Sequence, residues 1–183
     1  MTDTVRKLSL VNDNISFLLS DGGRTNERIP AVSKLENRIQ LLLGADFLDS
    51  AIPIDESRED LRLWGWVGSP TFNRRTRDQQ HFFVNNRYVK DTIVSHAIRQ
   101  AYRDVMFHGR HPVFVLYVSL DPSKVDVNVH PTKSEVRFRE ARQIHDFIFG
   151  SLNRALRQTE SIYQNSSIGN SESLGSRAHT TSF

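Results

Sequence analysis

The sequence predicts an α+β domain in which helices pack on one face of a mixed sheet. Three observations lead there. Strand-like and helix-like runs follow one another as strand–strand–helix–strand–strand–helix. The 38% hydrophobic and 9% aromatic content, spread over 183 residues, is enough for one real core. Val113 to Leu120 is almost continuously apolar, the pattern of a strand covered on both faces at the centre of a sheet.

Taken in order, residues 5–10 resemble the end of a helix, with no cap before them. Ile15, Phe17 and Leu19 then alternate with Ser16 and Leu18, and Asp21-Gly22-Gly23 supplies turn chemistry, so Arg24 to Ile29 is expected to return as the second strand of a hairpin. Ser33 and Glu36 have the spacing of a capping box, opening a short helix on Leu35, Ile39 and Leu42 that stops at Gly44. Residues 45–60, with Pro53 and an acidic cluster, are expected to be connection. Leu61 to Gly68 is a strand with Trp64 and Trp66 on one face, aromatics expected to pack on the sheet rather than to stack on bases. A polar, arginine-rich loop over 69–79 leads to a strand pair, His81 to Asn85 and Arg87 to Val89, turning on Asn85-Asn86. Asp91 is the expected N-cap of a long helix whose buried stripe is Val94, Ile98, Ala101 and Val105 and whose stop is Gly109. A second helix runs from about Glu140 to Arg157 on Ile144, Phe147, Ile148, Leu152, Ala155 and Leu156, and the Ser/Thr/Asn/Gly-rich stretch from Thr159 is expected to be disordered.

Composition removes several classes of function. With no cysteine, disulfides and thiolate metal sites are excluded, and a reducing compartment fits. No apolar stretch is long enough to span a bilayer, and residues 1–20 lack the apolar core of a signal peptide. The net charge of +3 is small, but Arg74, Arg75, Arg77, Arg87, Lys90, Arg99, Arg103 and Arg110 are opposed only by Asp78, Asp91 and Asp104 in their stretch. Such an excess can neutralise nucleic-acid phosphates, or can be a solvated helix face with a polar loop. Arg87, Lys90, Arg99 and Arg103 are the candidate DNA contacts, Arg99 and Arg103 being one helical turn apart. Nothing in the stretch indicates base-specific readout.

The most informative segment is Val125-Asp126-Val127-Asn128-Val129-His130-Pro131-Thr132-Lys133-Ser134-Glu135-Val136-Arg137-Phe138. Its valines alternate with polar residues, Pro131 ends the strand, and Lys133 follows in the turn. Spacing alone permits a hairpin with a solvated lysine or an ammonium held out towards a phosphate.

This segment closely resembles the signature of the MutL family of DNA mismatch-repair proteins, in the domain after their ATPase domain. The resemblance continues through Leu63-Trp64-Gly65-Trp66-Val67, Phe82-Phe83-Val84-Asn85-Asn86-Arg87, His96-Ala97-Ile98-Arg99-Gln100-Ala101, Phe114-Val115-Leu116-Tyr117 and Ile144-His145-Asp146-Phe147-Ile148, most of residues 1–157 in the family's order. It implies a ribosomal-S5-domain-2-like fold with a left-handed βαβ crossover, against the general preference for the right hand. It implies that residues 1–30 are the tail of a GHKL-type ATPase domain cut short, that 31–158 are the transducer domain, and that 159–183 begin a disordered linker. By the same resemblance Lys133 reaches the γ-phosphate of ATP bound, with Mg, in the neighbouring domain. The family's water-activating Glu, magnesium-binding Asn and glycine-rich nucleotide motifs are not found in this sequence, so the chain alone is expected to bind no cofactor and to be no enzyme. The implied partners are double- or single-stranded DNA, the ATPase domain of the complete protein, a MutS-type mismatch sensor and other repair factors, and a second copy in a homodimer. The implied location is the cytoplasm, at the nucleoid.

Two apparent sites are set aside. Asp78-Gln79-Gln80-His81 superficially matches an endonuclease motif of some MutL C-terminal domains but lacks the glutamate that follows, and His108 and His111 have no evident third ligand. No metal is expected, His130 and His145 are expected to be hydrogen-bonded framework residues, and no Ser/His/Asp triad can be assembled. The alternatives to a MutL-type transducer are an S5-like RNA-binding module, or an inactive truncated remnant with an exposed hairpin edge.

Overall fold

The computed structural model describes residues 2–126 and 136–169. Residues 127–135, with His130 and Lys133, and those beyond 169 therefore lie outside the described residues. The chain opens with helix α1 (Thr2–Ser9) and the hairpin β1 (Phe17–Asp21) and β2 (Arg24–Ile29). Helices α2 (Leu35–Leu43) and α3 (Ala45–Ser50) lead into strands β3 (Ala51–Arg58) and β4 (Leu61–Gly68). Next come β5 (Asn73–Arg74), β6 (Gln80–Val84), β7 (Arg87–Tyr88) and helix α4 (Thr92–Tyr102). The last elements are β8 (His111–Pro112), β9 (Phe114–Ser119), β10 (Val125–Asp126), β11 (Arg137–Phe138) and helix α5 (Ala141–Gly169).

The main sheet is mixed, in the order β3-β4-β9-β6-β7. The β3–β4, β4–β9 and β6–β7 pairs are antiparallel. β6 and β9 are parallel, His81 opposite Val115 and Phe83 opposite Tyr117, and the chain crosses between them through β7 and α4. The near-continuous apolar run thus becomes the central strand β9, buried from Phe114 to Val118.

Side-chain alternation divides the core into two layers. Leu63, Val67, Phe82, Val84, Leu116 and Val118 face the two long helices, which contribute Val94, Ala97, Ile98 and Tyr102 from α4 and Ile148 and Leu152 from α5. The expected placement of the long helices on one face is what the structure has. Phe83, Val115 and Tyr117 point the other way, onto Leu10, Ile39, Leu43 and Phe47 from α2, α3 and the N-terminal segment. Trp64 belongs to this second layer and stacks on Tyr117 at 4.1 Å, so its role is packing. Gly65 makes the β4–β9 approach possible, because at φ +128° a Cβ would sit 2.2 Å from the Val115 carbonyl oxygen.

Four local expectations are corrected. The Ser33–Glu36 capping box does not form: α2 starts at Leu35, which makes Lys34 the N-cap, without a side-chain hydrogen bond. Residues 45–60 are not connection but α3 and the edge strand β3, where Ile52 and Ile54 are buried and exposed Pro53 needs no donor on the open side. The arginine-rich loop contains β5, which pairs with β8. The backbone of α5 stays helical through Gly169, past the expected onset of disorder at Thr159, because adding turns to an existing helix costs far less than nucleating one.

Candidate nucleic-acid interface

The arginine-rich stretch is shaped into a groove of about 800 Å³ between α4, the turns that follow it, and the rim formed by β7, β8 and the 69–79 loop. Each wall has a local cause. Asn85 and Asn86 adopt φ of +48° and +66°, the left-handed pair that a two-residue hairpin turn requires, and so reverse β6 into β7. Asn85 is fixed by reciprocal bonds, its Nδ2 donating to Leu120 O and its Oδ1 accepting from Leu120 N, both 3.0 Å. Asp91 caps α4, its Oδ1 accepting from the N–H of Ile93 at 2.8 Å and of Val94 at 3.0 Å, as its position predicts. The arginine loop is held by Phe72 against Phe47, by Asn73 Nδ2 donating to Pro70 O at 2.9 Å, and by the pairing of Arg74 with His111. Beneath the groove the buried Tyr102 hydroxyl donates to Gly68 O at 2.5 Å, tying α4 to β4.

Five cations line the groove, Arg77, Lys90, Arg99, Arg103 and Arg110, together with one carboxylate, Asp91. That carboxylate is occupied by the helix N–H groups it caps, which leaves the anion affinity of the groove to side chains. Of the five, only Arg103 has an ion-pair partner among the described residues, Asp104 at 3.4 Å, and both ends of that pair are largely in solvent. His111 lies in the same groove and registers the field: partial burial, then the guanidinium groups of Arg77 and Arg99, hold its imidazole below the ordinary histidine range.

Of the candidate contacts, Lys90, Arg99 and Arg103 therefore converge. Arg87 is exposed on β7 opposite Val84 and is not among the lining residues. Arg77 and Arg110 were visible in the sequence as members of the basic stretch, but only the β5–β8 pairing brings their segments to α4. Among the described residues no group of three or more His, Cys, Asp or Glu is placed to hold a metal ion. His145 is hydrogen-bonded on both ring nitrogens, Nδ1 to Asp146 Oδ1 and Nε2 to His96 Nδ1, each at 3.0 Å, and joins α5 to α4. Sequence reasoning missed Arg38, which is fully buried and donates from Nη2 to the carbonyls of Asp13 and Ile15 at 2.8 Å, fastening α2 to the segment before β1.

Comparison with known proteins agrees with this architecture. Residues 39–157 match the family described as DNA mismatch repair protein, C-terminal domain. The chain is 54% identical over 157 residues to the DNA mismatch repair protein MutL of Chromohalobacter salexigens, covering 84% of this chain and 24% of that protein. It thus spans about a quarter of the length of the curated relatives it matches. In fold it resembles the crystal structure of an N-terminal domain of a DNA repair protein, with a TM-score of 0.69 at 22% identity over 87% of this chain and 53% of that one. A MutL ATPase domain from Aquifex aeolicus, carrying a lysine-to-asparagine substitution, superposes with a TM-score of 0.54 at 17% identity over 82% of this chain and 49% of that one. The matched family and the identity to its relatives establish that this chain belongs to the MutL family of DNA mismatch-repair proteins.

Proposed function

We propose that this chain acts in DNA mismatch repair as a MutL-type transducer domain, holding the DNA backbone in the groove between α4 and the β5–β8 pair without reading its sequence. The observation that supports this most directly is the convergence of Arg77, Lys90, Arg99, Arg103 and Arg110 on one groove with a single, already bonded carboxylate. Guanidinium and ammonium groups so placed neutralise phosphates and release counterions, contacts that carry no sequence information. An RNA-binding role is less well supported, since the family match is to mismatch-repair proteins.

The proposal has a second half. By its resemblance to the family's signature segment, Lys133 is read as the contact to the γ-phosphate of ATP, the nucleotide and its Mg being held in a neighbouring domain of the complete protein. Lys133 lies outside the described residues, so its part rests on that resemblance. It acts as a sensor of the terminal phosphate, not as a base or nucleophile, and the chain by itself performs no hydrolysis. The MutS-type partner, the homodimer and the cytoplasmic location are carried over from the family in the same way.

Fluorescence anisotropy with labelled oligonucleotides over a range of salt concentrations tests the groove. Binding is expected to be weak, indifferent to sequence and steeply salt-dependent, and Arg99→Glu/Arg103→Glu is expected to make the log–log salt slope shallower by about 2. Salt-insensitive or sequence-selective binding, an unchanged slope in the double variant, or preference for structured RNA would refute this reading. ATP turnover by the isolated chain, lost on Lys133→Ala, would refute the second half.

A further inference from the structure

Among the described residues Phe107 stands apart from the other large apolar side chains. It is 83% exposed, against 48–64% for Leu8, Ile15, Leu18 and Leu41, and it is the one aromatic in that exposed group. A single exposed apolar residue ordinarily needs no explanation. Its surroundings make this one different, because Phe107 lines the same groove as Arg77, Lys90, Arg99, Arg103 and Arg110. The residue is also presented by a defined turn. Met106, its neighbour, packs against the helix-side core, the Arg110 N–H donates to the Phe107 carbonyl at 3.3 Å, and Gly109 supplies the φ of +75° that closes the turn.

An aromatic face beside a row of cations is the combination that holds a strand by its backbone while stacking one of its bases. In duplex DNA the base faces are already stacked on each other and are closed to such a ring. We infer that Phe107 is a base-stacking residue at the rim of the groove, which engages an unpaired base of a strand whose phosphates the five cations hold. This rests on the DNA-backbone reading of the groove and adds a contact that phosphate neutralisation does not provide.

The test compares wild type, Phe107→Ala and Phe107→Trp on a short oligothymidylate and on an abasic oligonucleotide of equal length and charge. Because the side chain is largely in solvent, Phe107→Ala leaves the core intact, and circular dichroism checks this. The wild type is expected to bind the oligothymidylate about tenfold more tightly than the abasic strand, and Phe107→Ala is expected to remove that difference without changing the salt slope. Phe107→Trp is expected to retain it, with indole emission quenched by the base-bearing strand and not by the abasic one. Equal affinity of wild type and Phe107→Ala for the oligothymidylate, with steep salt dependence preserved, overturns the stacking role and leaves the backbone reading standing. Failure of the wild type to bind either strand overturns both.

Discussion

His81 makes stability depend on pH in a way that can be calculated and isolated. It lies on β6, is 7% exposed, and its Nδ1 is buried without a hydrogen-bond partner among the described residues. Burial, and after it the charge of Lys7, push its pKa down to about 4, against smaller opposing effects of Asp3 and Asp78. Lys7 is itself fixed, paired with Asp3 and seated 4.1 Å above the centre of the Tyr88 ring. Between pH 6.5 and 4 the unfolded chain binds a proton at this imidazole that the folded chain does not, so stability is complete above pH 6.5 and falls as the pH drops through about 4. At pH 5 the loss is about 2 kcal/mol, approaching about 3 kcal/mol below pH 4. Against a total of about 5–15 kcal/mol for a small domain, that is readily measured. Urea denaturation followed by tryptophan fluorescence, on wild type and His81→Gln at pH 7.5, 6 and 5, provides the assay. Carboxylates titrate in both proteins and cancel in the difference. The wild type is expected to lose about 2 kcal/mol more than the variant between pH 7.5 and 5. Parallel curves would show that His81 is not held neutral by the fold.

Two further substitutions test other parts of the structure. Gly65→Ala places a Cβ 2.2 Å from the Val115 carbonyl oxygen at an unfavourable φ of +128°, and is expected to cost more than about 3 kcal/mol; a Tm within a few degrees of wild type would mean that β4 and β9 do not approach as described. Asp91→Ala removes the α4 cap and also the carboxylate lining the groove, so stability is expected to fall by about 1 kcal/mol while DNA affinity rises; a fall in both would contradict the electrostatic account of the groove.

Features decided by neighbours in sequence were legible before the structure. The Asp91 cap acts on N–H groups two and three residues ahead, and the Asn85-Asn86 turn depends on the tolerance of those two residues for positive φ. The apolar run of β9 announced a strand with both faces covered. Edge strand β3 was hidden because Pro53 and the acidic residues around it carry turn and loop signals, while burial of Ile52 and Ile54 depends on α5 and the rest of the sheet. Arg38 was hidden for a similar reason. Its acceptors are carbonyls of Asp13 and Ile15, 25 and 23 residues away, and no side-chain pattern marks a backbone carbonyl as the partner of a cation.

The groove lies between these cases. Reading along the chain identified the stretch but included Arg87 among the contacts and passed over Arg77 and Arg110, because convergence is set by strand pairing and not by spacing. Arg87 and Lys90 are three residues apart, yet Arg87 remains on the β7 edge and Lys90 enters the groove as the chain turns into α4. Arg77 and Arg110 are far apart in sequence, yet both reach the groove because Asn73 and Arg74 pair with Pro112 and His111. His111 lies between these cations: partial burial first, and then the guanidinium groups of Arg77 and Arg99 from different elements, hold its imidazole below the ordinary histidine range. Cations from a loop, a helix and the turn beyond it, focused on one cleft, are what a polyanion backbone requires.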